Sequence, residues 1–372
     1  MEFRDLKIQY QQLKPKIDNA ISKVLADTNF ISGIQVRELE EKLAEYVGVK
    51  HCITCGNGTD AIILALMVWG IGEGDAVFVP DFTFFASGEA PALLGATPVF
   101  VDVERDSFNI SPDALESAIQ KVINAGTLKP KVIVAVDLFG QPADYTRIKE
   151  IARRYGLLLL EDGAQGFGGS HKDRKACSFG DISTTSFFPA KPLGCYGDGG
   201  AVFTDNDDWA AVMRSLSVHG KGKDKYDNIR LGMNSRLDTV QAAILLVKLE
   251  QFYKVELEQI NQVAAWYSAL LKEIVIIPAI GEGAYSSWAQ YTIICKSCEE
   301  RERLQKVLRN NEIPSIVYYA KGLHEQPAFY NHLLLTGDYE TTNYLKDRVL
   351  SLPISPYMTK EQVKKVVDCF DR

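Results

Sequence analysis

The chain has 372 residues, 46% of them hydrophobic and 24% charged, proportions of a soluble globular protein rather than a disordered one. That length exceeds the usual size of one core and implies a large domain and a smaller one. A net charge of −7 with no arginine- or lysine-rich stripe excludes a nucleic-acid partner, and no run of about eighteen apolar residues marks a membrane span.

The opening Met1-Glu2-Phe3-Arg4-Asp5 lacks a signal-peptide pattern, so a cytoplasmic protein is expected. Leu39, Leu43 and Tyr46 then recur at helical spacing and Gly48 supplies a stop, which predicts an N-terminal helical segment. Beyond it the pattern becomes strand, turn, helix, repeated. The runs Ala76-Val77-Phe78-Val79, Pro98-Val99-Phe100-Val101, Val132-Ile133-Val134-Ala135-Val136 and Leu157-Leu158-Leu159-Leu160 are short and nearly unbroken, as in strands buried on both faces. Helices lie between them, one opened by Ser111-Pro112-Asp113 and another running from Asp144 to Tyr155. This alternation predicts an α/β fold with a mainly parallel central sheet flanked by helices.

Two more strands are expected near Thr184–Phe188 and Gly200–Thr204, then a long helix from about Ser235 to beyond Glu250. The basic stretch Lys221-Gly222-Lys223-Asp224-Lys225 between them is glycine-broken and reads as a mobile loop. After the long helix a strand near Trp288–Cys295, a helix over Glu299–Asn310, a strand at Ser315–Tyr319 and closing helices around Thr342–Leu350 and Thr359–Phe370 are expected. Residues 1–250 thus form a large α/β domain with an N-terminal helical segment, and residues 251–372 a small α+β domain. Seven cysteines include the pairs Cys52/Cys55 and Cys295/Cys298. Their separation along most of the chain argues for small packed residues and reduced thiols, so no metal is expected.

Several positions carry chemistry. Gly56-Asn57-Gly58-Thr59-Asp60 opens an apolar helical stretch, where glycines allow a tight turn, free amides point at an anion, and Thr59 adds a hydroxyl. Phe84, in Pro80-Asp81-Phe82-Thr83-Phe84-Phe85, follows a strand end and can lie flat on a ring. Glu161-Asp162 falls at the carboxyl end of the leucine strand, where ligands of open parallel sheets sit. Lys191, in Ser186-Phe187-Phe188-Pro189-Ala190-Lys191-Pro192-Leu193-Gly194, has aromatic and proline neighbours that keep water off its amine. Its pKa should fall, leaving a free amine able to form a Schiff base with an aldehyde such as pyridoxal phosphate. Asp162 would then stand beside the ring nitrogen, Gln165 near the ring hydroxyl, and Ser186 would donate to the phosphate.

This set resembles the fold type I pyridoxal-phosphate enzymes. More narrowly, Gly56–Asp60, Glu161-Asp162-Gly163-Ala164-Gln165, Ser186–Gly200 and Gly232-Met233-Asn234-Ser235-Arg236-Leu237-Asp238 resemble the DegT/DnrJ/StrS family of nucleotide-sugar aminotransferases, with the DegT branch near. The resemblance implies that Lys191 is joined to the cofactor aldehyde and then serves as acid and base of the proton shift, with Asp162 paired to the pyridinium nitrogen and Phe84 stacked. It implies that Gly58, Thr59, Asp60 and Ser186 hold the phosphate, and that Asn234, with Arg236 close by, reaches it from the partner subunit of a homodimer. Arg236, Tyr318, Tyr319 and His324 are the implied sugar-binding residues. The implied reaction moves an amino group from an amino acid, commonly L-glutamate, to a keto group of a nucleotide-linked sugar. Lysine at 191 disfavours dehydration, for which relatives carry histidine. The motifs look most like the 3-aminotransferases of UDP-linked 3-keto sugars, although Val317-Tyr318-Tyr319-Ala320 departs from their histidine, tyrosine, proline order.

Two rival classes remain open at this stage. A regulatory protein on the same scaffold would act on gene expression with little or no turnover, but has no need of Lys191, Asp162 and Gln165 together. A pyridoxal-phosphate lyase acting on a small amino acid would call for a compact arginine clamp.

Overall fold

The structure, a computed structural model, describes residues 1–224, 226–330 and 337–370, so Lys225 of the basic stretch lies outside the described residues. Helix α1 (Leu6–Asp27) is capped by Asp5, whose carboxylate accepts from the Ile8 amide at 2.9 Å. Helix α2 (Ile34–Val47) buries Leu39 and Leu43 and stops at Gly48, whose φ of 86° is open to glycine and costly for other residues.

Seven strands form the central sheet: β1 (His51–Cys55), β2 (Asp75–Pro80), β3 (Thr97–Val101), β4 (Lys129–Val136), β5 (Leu158–Asp162), and, further on, Ile182–Ser186 and Gly200–Thr204. A small hairpin of β6 (Ser170–His171) and β7 (Arg174–Lys175) precedes the last two, which are therefore β8 and β9. The sheet order is β1-β9-β8-β5-β4-β2-β3. Strands β3, β2, β4, β5 and β8 run parallel, whereas β9 is antiparallel to both β8 and β1. All four apolar runs lie in buried strands of this sheet, except that Leu157 precedes β5 and Leu158 is partly exposed, and Phe78, Val99, Ile133 and Leu160 are fully enclosed. Each such side chain contributes about 1.5–3 kcal/mol.

Helices α3 (Gly58–Val68), α4 (Ala86–Leu93), α5 (Pro112–Ala125), α6 (Tyr145–Tyr155) and α7 (Asp207–Leu216) flank the sheet. Ser111 and Asp144 cap α5 and α6 as their positions suggest. The long helix begins as α8 (Thr239–Gln251), four residues later than expected, because the Ser235 side chain is engaged elsewhere. It continues through a π turn, Phe252–Glu256, into α9 (Leu257–Leu271).

The C-terminal part has its own core. After β10 (Ala284–Tyr285), which extends the small hairpin, β11 (Tyr291–Ile294) pairs antiparallel with β12 (Val349–Leu352). Helices α9, α10 (Cys298–Asn310) and α12 (Lys360–Val367) bury Tyr267, Leu308, Val363 and Val366 against them. Two expectations are corrected here. Ser315–Tyr319 forms only an isolated bridge, Ile316 to Ser351, because Tyr318 and Tyr319 turn toward the main sheet and its hydrophobic core. Helix α11 (Glu340–Lys346) stops before Val349 and Leu350, whose β-branched and apolar side chains enter β12 instead of extending the helix.

Candidate active site

The carboxyl ends of the parallel strands β2, β5 and β8 bring together most of the singled-out residues. Asp162 ends β5 with its carboxylate buried, accepting from the Ser87 hydroxyl of α4 at 2.8 Å and from the Ala164 amide at 3.2 Å. Burial raises its pKa, and the Ser87 hydrogen bond, the Ala164 amide and the Lys191 charge oppose that.

Lys191 lies in the loop between β8 and β9, its amide bonded to the Phe188 carbonyl at 2.8 Å. Its amine makes no hydrogen bond or ion pair among the described residues and sits 6.0 Å from the centre of the Phe84 ring. Desolvation lowers its pKa, opposed by Asp162 and assisted by Arg4. Phe84, in the loop from β2 to α4, leaves 54% of its surface open, an unusual exposure for a ring beside so much core and one that leaves a face free for a planar group.

Gln165 is fixed from both sides: its side-chain oxygen accepts from the Phe139 amide at 2.7 Å, and its side-chain nitrogen donates to the Tyr319 hydroxyl at 3.1 Å. Tyr319 is thus brought into the site from the C-terminal part, and it also meets Phe82 edge to face. Tyr318 lies beside it, its ring 5.6 Å from that of Tyr319 and also against Phe3.

The turn into α3 is built by Asn57, whose side chain accepts from the Asp60 amide at 2.8 Å. The amides of Gly58 and Thr59, in the first turn, have no partner within the helix and remain for an anion. Gly58 packs so closely on Ser186 that a Cβ there would fall 2.7 Å from the Ser186 Cβ, which puts the Ser186 hydroxyl at the same turn. Asp60 has a different part: its amide serves the cap, and its carboxylate accepts from the Ser235 hydroxyl at 2.6 Å, while that hydroxyl accepts from the Gly56 amide at 2.9 Å. Ser235 therefore pins the turn.

Its neighbours Asn234 and Arg236 are not joined to Lys191, Asp162 or Phe84 by any contact among the described residues. Asn234 is exposed, and Arg236 lines a cleft shared with Ser32, His219, Lys221 and Arg230. His324 lies at the edge of the site, with Nδ1 2.7 Å from the Asp81 carboxylate and its ring stacked on Tyr339 at 4.3 Å. The Asp81 carboxylate holds His324 above its ordinary pKa. Reasoning from sequence missed Ser87, Asp81, Ser235 and Arg4. Only Ser87 left a signal, being three residues beyond the singled-out Phe84.

These residues suit pyridoxal phosphate. A desolvated amine without a partner, an open aromatic face beside it, a buried carboxylate and a helix N-terminus with spare amides match the aldehyde, ring, ring nitrogen and phosphate of that group.

Comparisons with known proteins agree. The sequence profile of the DegT/DnrJ/EryC1/StrS aminotransferase family matches residues 11–371. The UDP-2-acetamido-2-deoxy-3-oxo-D-glucuronate aminotransferase of Pseudomonas aeruginosa is 44% identical over 98% of this chain and 98% of that one. A pleiotropic regulatory protein of Geobacillus stearothermophilus is 41% identical over 98% of this chain and 96% of its own. A crystal structure of a DegT/DnrJ/EryC1/StrS aminotransferase from Brucella abortus superposes with a TM-score of 0.97 at 46% identity, covering 100% of this chain and 98% of the other. The chain belongs to the DegT/DnrJ/EryC1/StrS aminotransferase family and is a pyridoxal-phosphate-dependent sugar aminotransferase.

Proposed function

We propose that the enzyme transfers an amino group from L-glutamate to the keto group of a nucleotide-linked sugar, a UDP-linked 3-keto sugar in particular. The observation that carries this reading is the partnerless Lys191 amine beside the open face of Phe84, with the buried Asp162 carboxylate bearing on it. The sugar assignment is supported by the name of the Pseudomonas relative. We place the reaction between a large domain of residues 1–250 and a small one of 251–372, in a cytoplasmic homodimer. No helix among the described residues is long and apolar enough to cross a membrane.

When bound, pyridoxal phosphate supplies an electron sink that stabilises a carbanion at the reacting carbon. The chain's own residues do the rest. The Gly58 and Thr59 amides, the Thr59 and Ser186 hydroxyls and the partner subunit's Asn234 hold the phosphate, and Asp60 acts by holding the turn. Phe84 covers one ring face. Asp162, whose ionised form Ser87 and the Ala164 amide favour against burial, would pair with the protonated ring nitrogen, and Gln165, oriented by Tyr319, would sit at the ring hydroxyl. Lys191 would take up the proton leaving the donor's α-carbon and give it back, a role that the lowering of its pKa by desolvation favours. Arg236, Tyr318, Tyr319 and His324 contact the sugar nucleotide. A regulatory role with little turnover is the second reading, favoured by the name of the Geobacillus relative alone.

The visible absorption spectrum of the protein with pyridoxal phosphate, before and after L-glutamate, tests this reading. Wild type should show a band that bleaches with glutamate. Lys191→Ala should show neither, and its transfer rate should fall by at least about 10²–10⁴-fold, the acid–base share alone. A band indifferent to glutamate and to the substitution moves the weight to the regulatory reading.

A further inference from the structure

Behind the Lys191 loop lies a buried polar cluster that the reaction as described does not use. The Arg4 guanidinium donates through Nη2 to the Pro192 carbonyl at 3.4 Å, the residue next to Lys191. Its Nη1 is buried without a hydrogen-bond partner among the described residues. A guanidinium nitrogen held so is expensive, and an apolar side chain at position 4 would avoid the cost.

Glu256, the last residue of the π turn between α8 and α9, accepts from Gln9 of α1 at 2.9 Å and from the Tyr357 hydroxyl. Glu256 and Tyr357 both favour the charged form of Arg4, which burial opposes. Turns of the π type recur at functional sites, where they aim a side chain that regular helix would not. Lys248 of α8 completes the cluster, 2% exposed, its amine 4.9 Å from the Tyr196 ring and its pKa pushed down to about 8 by burial. The Glu256 carboxylate favours the charged form of both Arg4 and Lys248 without a direct ion pair to either among the described residues.

The groups facing Lys191 are Asp162 from the end of β5, which favours its charged form, Arg4 from the N-terminal segment, which opposes it, and the uncharged Phe84 from the loop after β2. We propose that Arg4 is a positioning residue for Lys191: its guanidinium tethers the Pro192 carbonyl, next to Lys191, and sets a positive charge behind the Lys191 loop. This rests on the aminotransferase reading, because a free amine at 191 matters only where it attacks an aldehyde and carries a proton.

Competitive labelling of the full-length protein with acetic anhydride as a function of pH, read at Lys191 by peptide mass spectrometry, tests the inference without requiring turnover. Removing a neighbouring positive charge makes protonation easier, so Arg4→Gln should slow Lys191 labelling about 3- to 10-fold at a fixed pH below the midpoint. Arg4→Lys, which keeps the charge, should stay within about two-fold of wild type. Should Arg4→Gln not fold, Arg4→Gln/Glu256→Gln removes the Glu256 carboxylate together with the guanidinium whose charge it favours and is expected to slow labelling likewise. In the protein loaded with pyridoxal phosphate, the pH midpoint of the Lys191-dependent absorption band should rise in Arg4→Gln and return in Arg4→Lys. Lys191 labelling equal to wild type in the glutamine variants overturns the inference, as does equal slowing in Arg4→Lys. A wild-type protein that forms no Lys191-dependent band sinks the aminotransferase reading instead, while the labelling result still decides the role of Arg4.

Discussion

Ser87 shows how much of a site can rest on a side chain that no motif names. Its hydroxyl is the one side-chain donor to the Asp162 carboxylate among the described residues, and burial otherwise pushes that carboxyl toward its neutral form. A hydrogen bond to a charged group is worth about 1.5–3 kcal/mol, so Ser87→Ala should lower kcat/KM roughly 10- to 100-fold. Losing the donor raises the Asp162 pKa further, so the carboxylate is lost at a higher pH and the acid limb of the pH–rate profile should move upward. A melting temperature close to wild type, measured alongside, separates this from unfolding. Asp162 and Lys191 could be singled out because strand ends and a proline-flanked lysine are visible in the sequence, whereas the Ser87 contact joins residues 75 apart.

The α3 N-terminus and β8 are two elements fitted to one another at a single point. A methyl group on Gly58 would meet the Ser186 Cβ at 2.7 Å, closer than packed carbons allow. Gly58→Ala should therefore cost about 1–3 kcal/mol by forcing the helix off the strand, with weaker pyridoxal-phosphate binding because the phosphate amides move with it. Gly58→Ala/Ser186→Gly removes the opposing carbon. It should recover thermal stability toward wild type, and a double variant no more stable than Gly58→Ala would show that the contact is not the cause. The turn itself was legible as Gly56–Asp60, since glycine and cap residues announce a helix start. The closeness of Ser186 was not, and neither was the failure of Ser315–Tyr319 to pair, because both depend on which elements are neighbours.

At the scale of the whole molecule, His324 fastens the C-terminal part to the end of β2 through the fully buried Asp81 carboxylate. That carboxylate raises the His324 pKa above the ordinary 6.5. The charged pair therefore stabilises the fold below pH 6.5 for as long as Asp81, whose own pKa burial raises, stays ionised, and it loses that contribution as pH rises through the raised His324 value. Wild type should melt at progressively lower temperature as pH rises through that window. His324→Gln should lack this step, and a parallel decline in both proteins would exclude the pair as its origin.

Periodicity and punctuation along the chain suffice for the alternating α/β class, the strands buried on both faces, the helix caps and the loop that carries Lys191, because each of these is set by residues within a few positions of one another. Tertiary structure alone decides the remainder. It turns β9 antiparallel and adds β1 at its edge, converts Val349 and Leu350 from helix to strand by supplying β11 as a partner, and ties Asp60 to Ser235, Asp162 to Ser87, Gln165 to Tyr319 and Arg4 to the Pro192 carbonyl. Those pairings depend on distance in space between residues far apart in sequence, and the hydrogen bonds and charges that tune the site act only over that distance.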